Sequence, residues 1–432
     1  MDSAGDLFGL SWPIVNMPIS TATPLIMHVD LNSAFAMAEQ QANPLLRGKP
    51  IGITNRASSS AICITASYEA KRLGVGIGTR MKEARLRAPG FVMVESDPAK
   101  YKYINSKMRH IFESYSPRAY MKSVDEGIID FHGMSGILKG RSLNDIAAEI
   151  KDRVREEIGD HMTVNIGIGQ NRWLAKLAAG FLKPDGLYCI DHNNMEMVYG
   201  LLRLEELPYI KRRNRLRLNE ADIFTPLEFL GAPESVLSKR VFRSVMGYHW
   251  YLNLRGYETD LDANTVRSVG RSYVLEHRTA DLEEIRRLLY KASIKLARRL
   301  RMMGLAARGL RLSFSYIDPM SSSGLGDMSE NSLYQEAVWR SDRIYERACE
   351  LKARMPIGRV LTALRITSYK LETILFDQLS LYDSADTRRG RLEVAMNAVN
   401  DRYGEMILSP ASAMGVLNPM EDKVPFGSVR YF

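Results

Sequence analysis

Cysteine is scarce in this chain of 432 residues, which has only three. Cys63, Cys189 and Cys349 lie far apart and form no Cys-x-x-Cys pair. This spacing argues against a zinc site built from thiolates and against a framework of disulfides. Isolated cysteines are typical of proteins in a reducing compartment, so we expect a cytoplasmic protein.

Long apolar segments are also missing. A helix that spans a bilayer needs about 20 consecutive apolar residues, and no run in the chain reaches that length. Residues 1–16 carry Asp2 and Asp6 and lack the basic cluster of a secretory signal peptide. We therefore expect a globular protein without a membrane partner. Its length suggests two to four domains at roughly 100–200 residues each.

Acidic residues are fewer than basic ones, and the imbalance is local. The chain has 59 Lys and Arg against 50 Asp and Glu, which gives a net charge of +9. Basic residues concentrate at 211–217 and at 286–301, and no acid interrupts either cluster. Each cluster predicts an open surface for a polyanion such as the phosphate backbone of nucleic acid. A solvated helix face is the alternative for both.

The N-terminal half alternates between strand and helix patterns. Strands are predicted at 24–30, 51–54, 61–65, 123–131 and 163–168, and helices at 33–42, 66–73, 79–87, 98–115, 142–158 and 172–182. The order resembles the split βαβ, ferredoxin-like arrangement, with residues 40–90 inserted as a subdomain.

Beyond Gly186 the pattern changes. Residues 195–257 predict basic helices, and residues 259–264 predict a polar linker. The next elements are a strand at 272–275, a helix at 281–303, a strand at 309–316, a loop at 320–327, a helix at 330–353 and a strand at 359–367. This βαβαβ order predicts a second α+β domain.

Carboxylates stand at the ends of two of these strands. Asp30 ends an apolar run, and Asp125 and Glu126 begin the strand after Ser123. Mg²⁺ prefers hard oxygen ligands and keeps positions open for substrate phosphates, so a metal site is one interpretation. The alternatives are a helix cap for Asp30 and exposure to solvent for the adjacent pair. Neighbours on a regular strand point to opposite faces, so the pair can share one site only if the backbone bends.

Four segments resemble the motifs of the Y-family, or translesion, DNA polymerases, in the family's order and at its spacing. They are HVDLNSAFAMAE at 28–39, TASYEAKRLGV at 65–75, SVDE at 123–126, and LAKLAA at 174–179 followed by KPDG at 183–186. The resemblance covers residues 24–382 and points to the UmuC- and DinB-like members.

The resemblance implies a multidomain, right-hand polymerase of the α+β class. Its parts would be a ferredoxin-like palm, small fingers, a helical thumb and an α+β little finger. The expected boundaries are an N-terminal extension at 1–23, palm at 24–33 and 98–190, fingers at 34–97, thumb at 191–258, linker at 259–266, little finger at 267–372 and a tail at 373–432. The implied function is template-directed, low-fidelity DNA synthesis past lesions, by nucleotidyl transfer from a dNTP to a primer 3′-hydroxyl.

The resemblance also implies a metal site and a sugar filter. Asp30, Asp125 and Glu126 would hold two Mg²⁺ ions, which Mn²⁺ can replace, with help from the Leu31 carbonyl. Phe35 would be the steric gate that leaves no room for a 2′-hydroxyl. A core aromatic residue on a helix has the same sequence pattern, and Phe35 can serve in both ways.

Four further residues would contact the triphosphate of the incoming nucleotide, namely Thr65, Tyr68, Lys71 and Lys176. The family often has Arg at the position of Lys71, and Lys keeps the charge but loses the planar fork of Arg. Asn32 stands where many members carry a second Asp.

The thumb segment departs from the family pattern. Residues 207–214, LPYIKRRN, lack the glycines whose backbone N–H groups usually grip a phosphate. Lys211, Arg212 and Arg213 are expected to bind the DNA backbone through side-chain charge instead. Binding of this kind depends steeply on salt concentration.

A short peptide near the C-terminus resembles the segment by which bacterial polymerases dock on the sliding clamp. It comprises Gln378, Leu379, Ser380, Leu381 and Tyr382. A chance apolar pair in a C-terminal strand is the alternative. The expected partners are primer-template DNA, dNTP and the clamp, bound by a monomer at the bacterial nucleoid.

Two other functions fit parts of the pattern. A non-catalytic adaptor of the same fold would bind DNA and clamp, but such adaptors usually lose the carboxylates. A nucleotidyl cyclase-like enzyme would have a similar palm, but it would need neither the basic C-terminal half nor the clamp-like peptide.

Overall fold

The computed structural model of the protein describes residues 17–55, 61–138, 140–259, 266–321, 324–356, 358–374, 384–403 and 407–408. The chain forms two compact units that divide at residues 261–262. The division falls inside the polar stretch for which the sequence predicts a linker. No helix among the described residues is long and apolar enough to cross a bilayer.

The first unit is built around a five-stranded sheet. Up to residue 190 its strands and helices are β1 (Ile26–Leu31), α1 (Ala34–Ala42), β2 (Ile51–Thr54), β3 (Thr65–Ala66), α2 (Tyr68–Arg72), α3 (Met81–Arg87), β4 (Val92–Glu95), α4 (Pro98–Glu113), β5 (Tyr120–Met121), β6 (Glu126–Asp130), α5 (Ser135–Leu138), α6 (Leu143–Glu157), β7 (Val164–Gly169), α7 (Arg172–Ala178) and β8 (Leu187–Ile190). The strand order is β5-β6-β1-β7-β8, and β1 is antiparallel to both neighbours.

Strand β1 is buried on both faces, which explains its unbroken apolar run. Its odd-numbered residues enter the core that α4 and α6 cover. Ile26 faces the other side, where it contacts Ala175 of α7. Because side chains alternate along a strand, His28 and Asp30 share the face of Ile26. The alternation along β1 thus places the Asp30 carboxylate on the face of the sheet that α7 covers.

Residues 51–95 form a separate three-stranded sheet in the order β3-β2-β4, with β2 and β4 parallel. The strand predicted at 61–65 is wrong over most of its length, since only Thr65–Ala66 joins the ladder. The backbone of Cys63 bonds to Gly78 and Thr79 instead of to β2, at 2.8 and 2.9 Å. Residues 61–63 therefore pair with residues 78–81 rather than with β2, through an antiparallel bridge between Ile62 and Arg80.

Residues 195–257, the helical region, form α8 (Met195–Gly200), α9 (Arg212–Asn219), α10 (Pro226–Gly231) and α11 (Met246–Leu254), with a π-helical turn at Val236–Val241. The prediction of helices here is confirmed. Aromatic side chains fill the core between these helices and α7. The Trp250 ring lies 5.7 Å from Trp173 and 5.6 Å from Phe229, measured between ring centres.

Residues 17–22 form a strap that joins the helical region to the sheet. The Ser20 N–H donates to the Arg255 carbonyl at 2.8 Å. The Gln170 side-chain amide, at the end of β7, donates to the carbonyls of Ser20 and Ala22 at 2.6 and 2.7 Å. The strap is therefore held from both sides by hydrogen bonds.

The second unit is an antiparallel sheet with helices. Its elements are β9 (Ser268–Thr279), α12 (Leu282–Met302), β10 (Leu305–Ile317), β11 (Leu325–Val338), α13 (Ser341–Ala353), β12 (Leu361–Thr373) and α14 (Ser384–Tyr403), with strand order β11-β10-β12-β9. The predicted helix at 330–353 is wrong up to residue 340, since α13 begins at Ser341, and the predicted loop at 320–327 is wrong from residue 325. Pairing with β10 over Leu325–Leu333 and at Val338 holds this segment as a strand, with an irregularity in the register between the two.

The basic cluster at 286–301 is not an open basic face at its centre, so that prediction is wrong there. Lys291 and Lys295 are only 5% and 3% exposed. Arg301 forms an ion pair with Glu393 of α14 at 2.5 Å. The acid that matches Arg301 lies 92 residues further along the chain, so a local search of the sequence misses it.

Candidate active site

Asp30 and Glu126 lie directly opposite each other in the β1–β6 ladder, as Cα partners. Opposed residues project from the same face, and like charges in this arrangement destabilise a sheet. Two lysines neutralise the carboxylates, because Lys183 donates to Asp30 and Lys176 donates to Glu126. The buried ring of His28 places Nε2 3.2 Å from Glu126 Oε2.

The backbone bends just before β6, and the bend brings in Asp125. Residues 122–125 are bends rather than strand. Ser123 Oγ donates to Asp125 Oδ1 at 2.5 Å and accepts from the Glu126 N–H at 3.1 Å. The Leu31 N–H donates to the Asp125 carbonyl at 2.8 Å, which fixes the bend against the end of β1. The bend that two adjacent carboxylates need to share one site is therefore present.

The carboxylates differ in their electrostatic surroundings. Burial raises the pKa of Asp125, and the charges of Asp30 and Glu126 add to the rise, against the hydrogen bond from Ser123. Burial would also raise the pKa of Glu126. His28 and Lys176 together outweigh that effect and lower the pKa of Glu126 to about 2. Glu126 is thus held as an anion, whereas Asp125 lacks comparable compensation.

Two glycines on β7 let α7 lie close enough to present Lys176. A Cβ at Gly167 would lie 2.1 Å from the Ala175 carbonyl oxygen, and one at Gly169 would lie 2.5 Å from the Ala175 nitrogen. Any larger residue at either position would push the helix outward. The glycines therefore set the distance between the Lys176 backbone and the carboxylates.

Asn171 caps α7 and also joins it to the helical region. Its Oδ1 accepts from the Leu174 N–H at 2.7 Å. Its Nδ2 donates to the carbonyls of Asn253 and Tyr257 at 2.9 and 2.8 Å. The Asn171 side chain thus forms hydrogen bonds with backbone groups of both α7 and the helical region.

The loop that carries Lys183 is organised by Asn165, the fully buried β7 partner of Asp30. Asn165 Nδ2 donates to the carbonyls of Ala179 and Phe181 at 3.2 and 2.7 Å. Its Oδ1 accepts from the Gly186 N–H at 3.0 Å. These three bonds fix both ends of the loop and so direct Lys183 toward Asp30.

Tyr68 and Lys71 of α2 reach the turn that follows β1. The Tyr68 hydroxyl donates to Asn32 Oδ1 at 3.2 Å, and Lys71 Nζ donates to Ser33 Oγ at 2.7 Å. Burial and the nearby charge of Lys183 lower the pKa of Lys71. The charges of Lys71 and Lys183 are therefore close enough to repel each other, and both lysines lie near the carboxylate of Asp30.

Phe35 lies in the hydrophobic core beside the site, whereas Thr65 lies in the three-stranded sheet. Phe35 is 5% exposed and stacks on Tyr101 with ring centres 4.4 Å apart, so it is a core aromatic residue on α1. Thr65 is half-buried and pairs with Ile53 in the three-stranded sheet. Among the described residues, no hydrogen bond from the Thr65 hydroxyl links it to the carboxylate cluster.

Three residues of this cluster have no individual role in the sequence predictions: His28, Asn165 and Lys183. Lys183 stands in the KPDG motif, so the motif itself is the signal by which it could be found. His28 precedes Asp30 by two residues, which on a strand means the same face. Asn165 gives no signal, because its role depends on β7 pairing with β1.

The carboxylate cluster suits a divalent cation in its donor chemistry. In the described part of the chain no three carboxylate, imidazole or thiolate groups converge as a closed metal cage. Mg²⁺ rarely uses such cages and is usually bound by one or two carboxylates together with substrate phosphates. The hard oxygens of Asp30, Asp125 and Glu126 fit that pattern, and burial, together with the charges of Asp30 and Glu126, raises the pKa of Asp125.

The other predicted site residues lie elsewhere. Lys211 precedes α9, and exposed Arg212 and Arg213 form its first turn. Within the described ranges, no ion pair joins Arg212 or Arg213 to an acid. The clamp-like residues Gln378, Leu379, Leu381 and Tyr382 lie outside the described residues.

The first unit has an α+β fold, in which a palm-like sheet carries opposed carboxylates beside a helix that bears a lysine, and this fold is that of solved Y-family polymerases. The Y-family DNA polymerase chimera Dbh-Dpo4(243-245)-Dbh matches with a TM-score of 0.69 at 22% identity, over 81% of this chain and 99% of that chain. The insertion ternary complex of Dbh DNA polymerase matches with a TM-score of 0.57 at 23% identity, over 80% of this chain and 98% of that chain.

Sequence comparisons identify the family. The model of the impB/mucB/samB family matches residues 29–180, and the model of the family's C-terminal domain matches residues 266–381. DNA polymerase IV of Moorella thermoacetica is 31% identical over 397 residues, which cover 90% of this chain and 96% of that protein. DNA polymerase IV of Pelotomaculum thermopropionicum is 28% identical over 386 residues, which cover 88% of this chain and 93% of that protein. The chain belongs to the impB/mucB/samB family, within the Y-family DNA polymerases.

Proposed function

We propose that the protein is a template-directed DNA polymerase that copies damaged templates with low fidelity. Its family and the relatives named DNA polymerase IV support this class of enzyme. The observation that carries the proposal is the opposed pair Asp30 and Glu126, which lies within the segment that matches the family and contacts Lys176 and Lys183. In the reaction, a primer 3′-hydroxyl attacks the α-phosphate of a dNTP and pyrophosphate leaves.

Asp30, Asp125, Glu126 and the Leu31 carbonyl would hold two Mg²⁺ ions, for which Mn²⁺ can substitute. When bound, such a pair activates the attacking hydroxyl and stabilises the leaving pyrophosphate. Asp125 suits this role because burial and its acidic neighbours raise its pKa, so that a cation there favours the charged form.

Lys71, Lys176, Lys183 and the Tyr68 hydroxyl would bind the triphosphate, with the Thr65 hydroxyl as a further donor. Phosphoryl transfer needs pre-placed positive charge and hydrogen-bond donors around the reacting group. Lys176 and Lys183 now contact carboxylates. An ammonium group carries three rotatable donors, so each lysine can turn to a phosphate oxygen without moving its backbone.

Phe35 would select deoxyribose over ribose. The ring follows Asp30 by five residues and is held by its stack on Tyr101. A ring that cannot swing away leaves no space for a 2′-hydroxyl. Core packing and sugar selection are thus compatible roles for this one side chain.

Template and primer would be gripped by the parts outside the palm. Lys211, Arg212 and Arg213 at the start of α9 carry the charge for phosphate contacts. We assign residues 24–33 and 98–190 to the palm, 34–97 to the fingers, 191–258 to the thumb and 267–372 to the little finger. The extension at 1–23, the linker at 259–266 and the tail at 373–432 complete the proposed organisation.

The peptide at 378–382 would dock on a sliding clamp. Pull-down of the purified clamp by the wild-type protein tests this, and Leu379→Ala with Tyr382→Ala should abolish capture. Capture that survives both changes would assign clamp binding to another segment. We further propose that the protein acts as a monomer at the nucleoid. The bacterial origin of the relatives supports only the bacterial cytoplasm as its location.

Primer extension with purified protein, a primed template, dNTPs and Mg²⁺ tests the main proposal. The wild type should extend the primer, chelation of the metal should stop extension, and Asp30→Ala or Glu126→Ala should do the same. A wild type that binds primer-template DNA but extends nothing would be an adaptor. Release of pyrophosphate without primer-template would instead indicate a cyclase-like enzyme.

A further inference from the structure

Two consecutive residues after β1 hold the side chains of α2 that face the carboxylates. Asn32 Oδ1 accepts from the Tyr68 hydroxyl at 3.2 Å, and Ser33 Oγ accepts from Lys71 Nζ at 2.7 Å. Lys71 Nζ also lies 4.6 Å from the centre of the Tyr68 ring, within the range of cation–π attraction. Tyr68 and Lys71 are therefore joined to each other and to the same turn.

Asn32 is itself fixed in one orientation. It is 1% exposed, its N–H donates to the Thr163 carbonyl at 3.1 Å, and its Nδ2 donates to Thr163 Oγ1 at 3.0 Å. Because the amide nitrogen is committed to Thr163, the amide oxygen faces Tyr68. Asn32 thus offers the Tyr68 hydroxyl a rigid acceptor.

Ser33 adopts a backbone conformation that its local role does not explain. Its φ and ψ are both 45°, in the left-handed region that a non-glycine residue enters only at a cost. Serine is a favoured helix cap, yet the Ser33 side chain makes no cap hydrogen bond to α1. It bonds to Lys71 instead. Strained residues of this kind cluster where geometry serves a ligand.

We propose that Asn32 and Ser33 are positioning residues, a brace that holds the Tyr68 ring and the Lys71 ammonium in place for the triphosphate. The inference rests on the proposed polymerase function, in which Tyr68 and Lys71 touch the nucleotide. When a phosphate binds, the single O–H of Tyr68 turns from Asn32 to a phosphate oxygen, whereas Lys71 has further N–H donors beside the one given to Ser33. Side chains that are already ordered lose less conformational freedom in this step. The brace therefore acts on the affinity for dNTP more than on the rate of the chemical step.

Single-nucleotide insertion kinetics on a primed template test the brace. Asn32→Ala and Ser33→Ala should each raise KM for dNTP about 3- to 10-fold, the effect of leaving one side chain to be ordered on binding. Their kcat should stay within about 2-fold of wild type, because uniform binding is lost rather than stabilisation of the transition state.

A double-mutant cycle asks whether Asn32 acts through Tyr68. Tyr68→Phe removes only the hydroxyl, so adding Asn32→Ala to it should raise KM no further. Ser33→Ala added to Lys71→Met should likewise have no additional effect. Additive effects in both cycles would overturn the brace. A lower midpoint of thermal unfolding with unchanged KM would also overturn it, since that result belongs to a purely structural role.

The outcomes separate the brace from the polymerase function itself. A wild type that extends no primer defeats the proposed function. A wild type that extends primers, with Tyr68→Phe raising KM and Asn32→Ala leaving it unchanged, defeats only the brace. Asn193→Ala, at an exposed asparagine of the same unit, is the matched control and should leave KM unchanged.

Discussion

Lys183 and Asp30 form an ion pair although 153 residues separate them in sequence. The pair joins the loop after α7 to the end of the central strand. Lys176 and Glu126 form a second such pair on the same face of the sheet. Asp30 and Glu126 therefore each have a lysine of the chain as counterion, and the same two lysines have the charge that binds a phosphate.

Lys183→Ala should raise KM for dNTP about 10- to 100-fold, the effect of losing a charge-assisted hydrogen bond. Lys183→Arg keeps the charge and should lose less. Steady-state insertion kinetics give both values, with Lys102→Ala, an exposed lysine on α4, as the control. An unchanged KM for Lys183→Ala would remove this lysine from the nucleotide site.

Asp30→Asn should lower kcat/KM for insertion at least about 100-fold, because a metal ligand worth several kcal/mol is lost. The protein should remain folded with little change in its thermal midpoint, because relief of the repulsion between the opposed carboxylates offsets the loss of the ion pair with Lys183. Calorimetry and primer extension measure the two effects. Asp152→Asn, an exposed acid on α6 paired with Arg155, should alter neither activity nor midpoint. Retained activity in Asp30→Asn would contradict the metal assignment.

Phe35→Leu should increase the ratio of ribonucleotide to deoxyribonucleotide insertion, because a flexible aliphatic chain replaces a ring fixed on Tyr101. The cost in stability should be small, about 1.5 kcal/mol or less for a change that nearly conserves volume. Phe112→Leu is the matched control, since Phe112 is a fully buried ring of the same core. The gate assignment fails if the two variants show the same sugar discrimination.

Asn165→Ala should destabilise the first unit by about 1–3 kcal/mol, because buried backbone groups of the Lys183 loop lose their partner. The midpoint of urea unfolding measures this effect. KM for dNTP should rise as well, because Lys183 is no longer directed to its place. A variant with reduced stability and a normal KM would show that the loop keeps its shape without Asn165.

Replacing Lys211, Arg212 and Arg213 together by Ala should weaken DNA binding and flatten its dependence on salt. Each lost phosphate contact reduces the slope of log K against log salt by about 0.7–0.9. Fluorescence anisotropy with a labelled primer-template across a salt series gives the slope. A triple replacement of palm arginines that already pair with acids is the control: Arg141, Arg153 and Arg155. Equal slopes for both triple variants would move the DNA contact away from α9.

Much of the palm can be predicted from sequence because its elements have local signals. The strand that ends near Asp30 is a short apolar run, and the helices at 98–115 and 142–158 show clear periodicity; the structure confirms all three, with ends within two residues. The strand with carboxylates at its start is also confirmed, although it begins at Glu126 rather than Ser123.

What could not be predicted depends on partners distant in sequence. The neutralisation of Asp30 by Lys183 and the support of the Lys183 loop by Asn165 follow only once β7 pairs with β1. Strand β11 has a sequence suited to a helix, but pairing with β10 decides its conformation. The bend before Glu126 depends on Ser123, whose hydroxyl bonds are invisible until the chain is folded.

Gln170 and Asn171 are adjacent in the chain, and each holds a different neighbour of α7. Gln170 binds the strap, whereas Asn171 binds the carbonyls of Asn253 and Tyr257 and caps the helix that presents Lys176. Lys176 follows that cap by little more than one helical turn. Any shift of the helical region must therefore break two hydrogen bonds or be transmitted to the base of α7. A displacement of the helical region that preserves these bonds would therefore also displace Lys176 relative to Glu126.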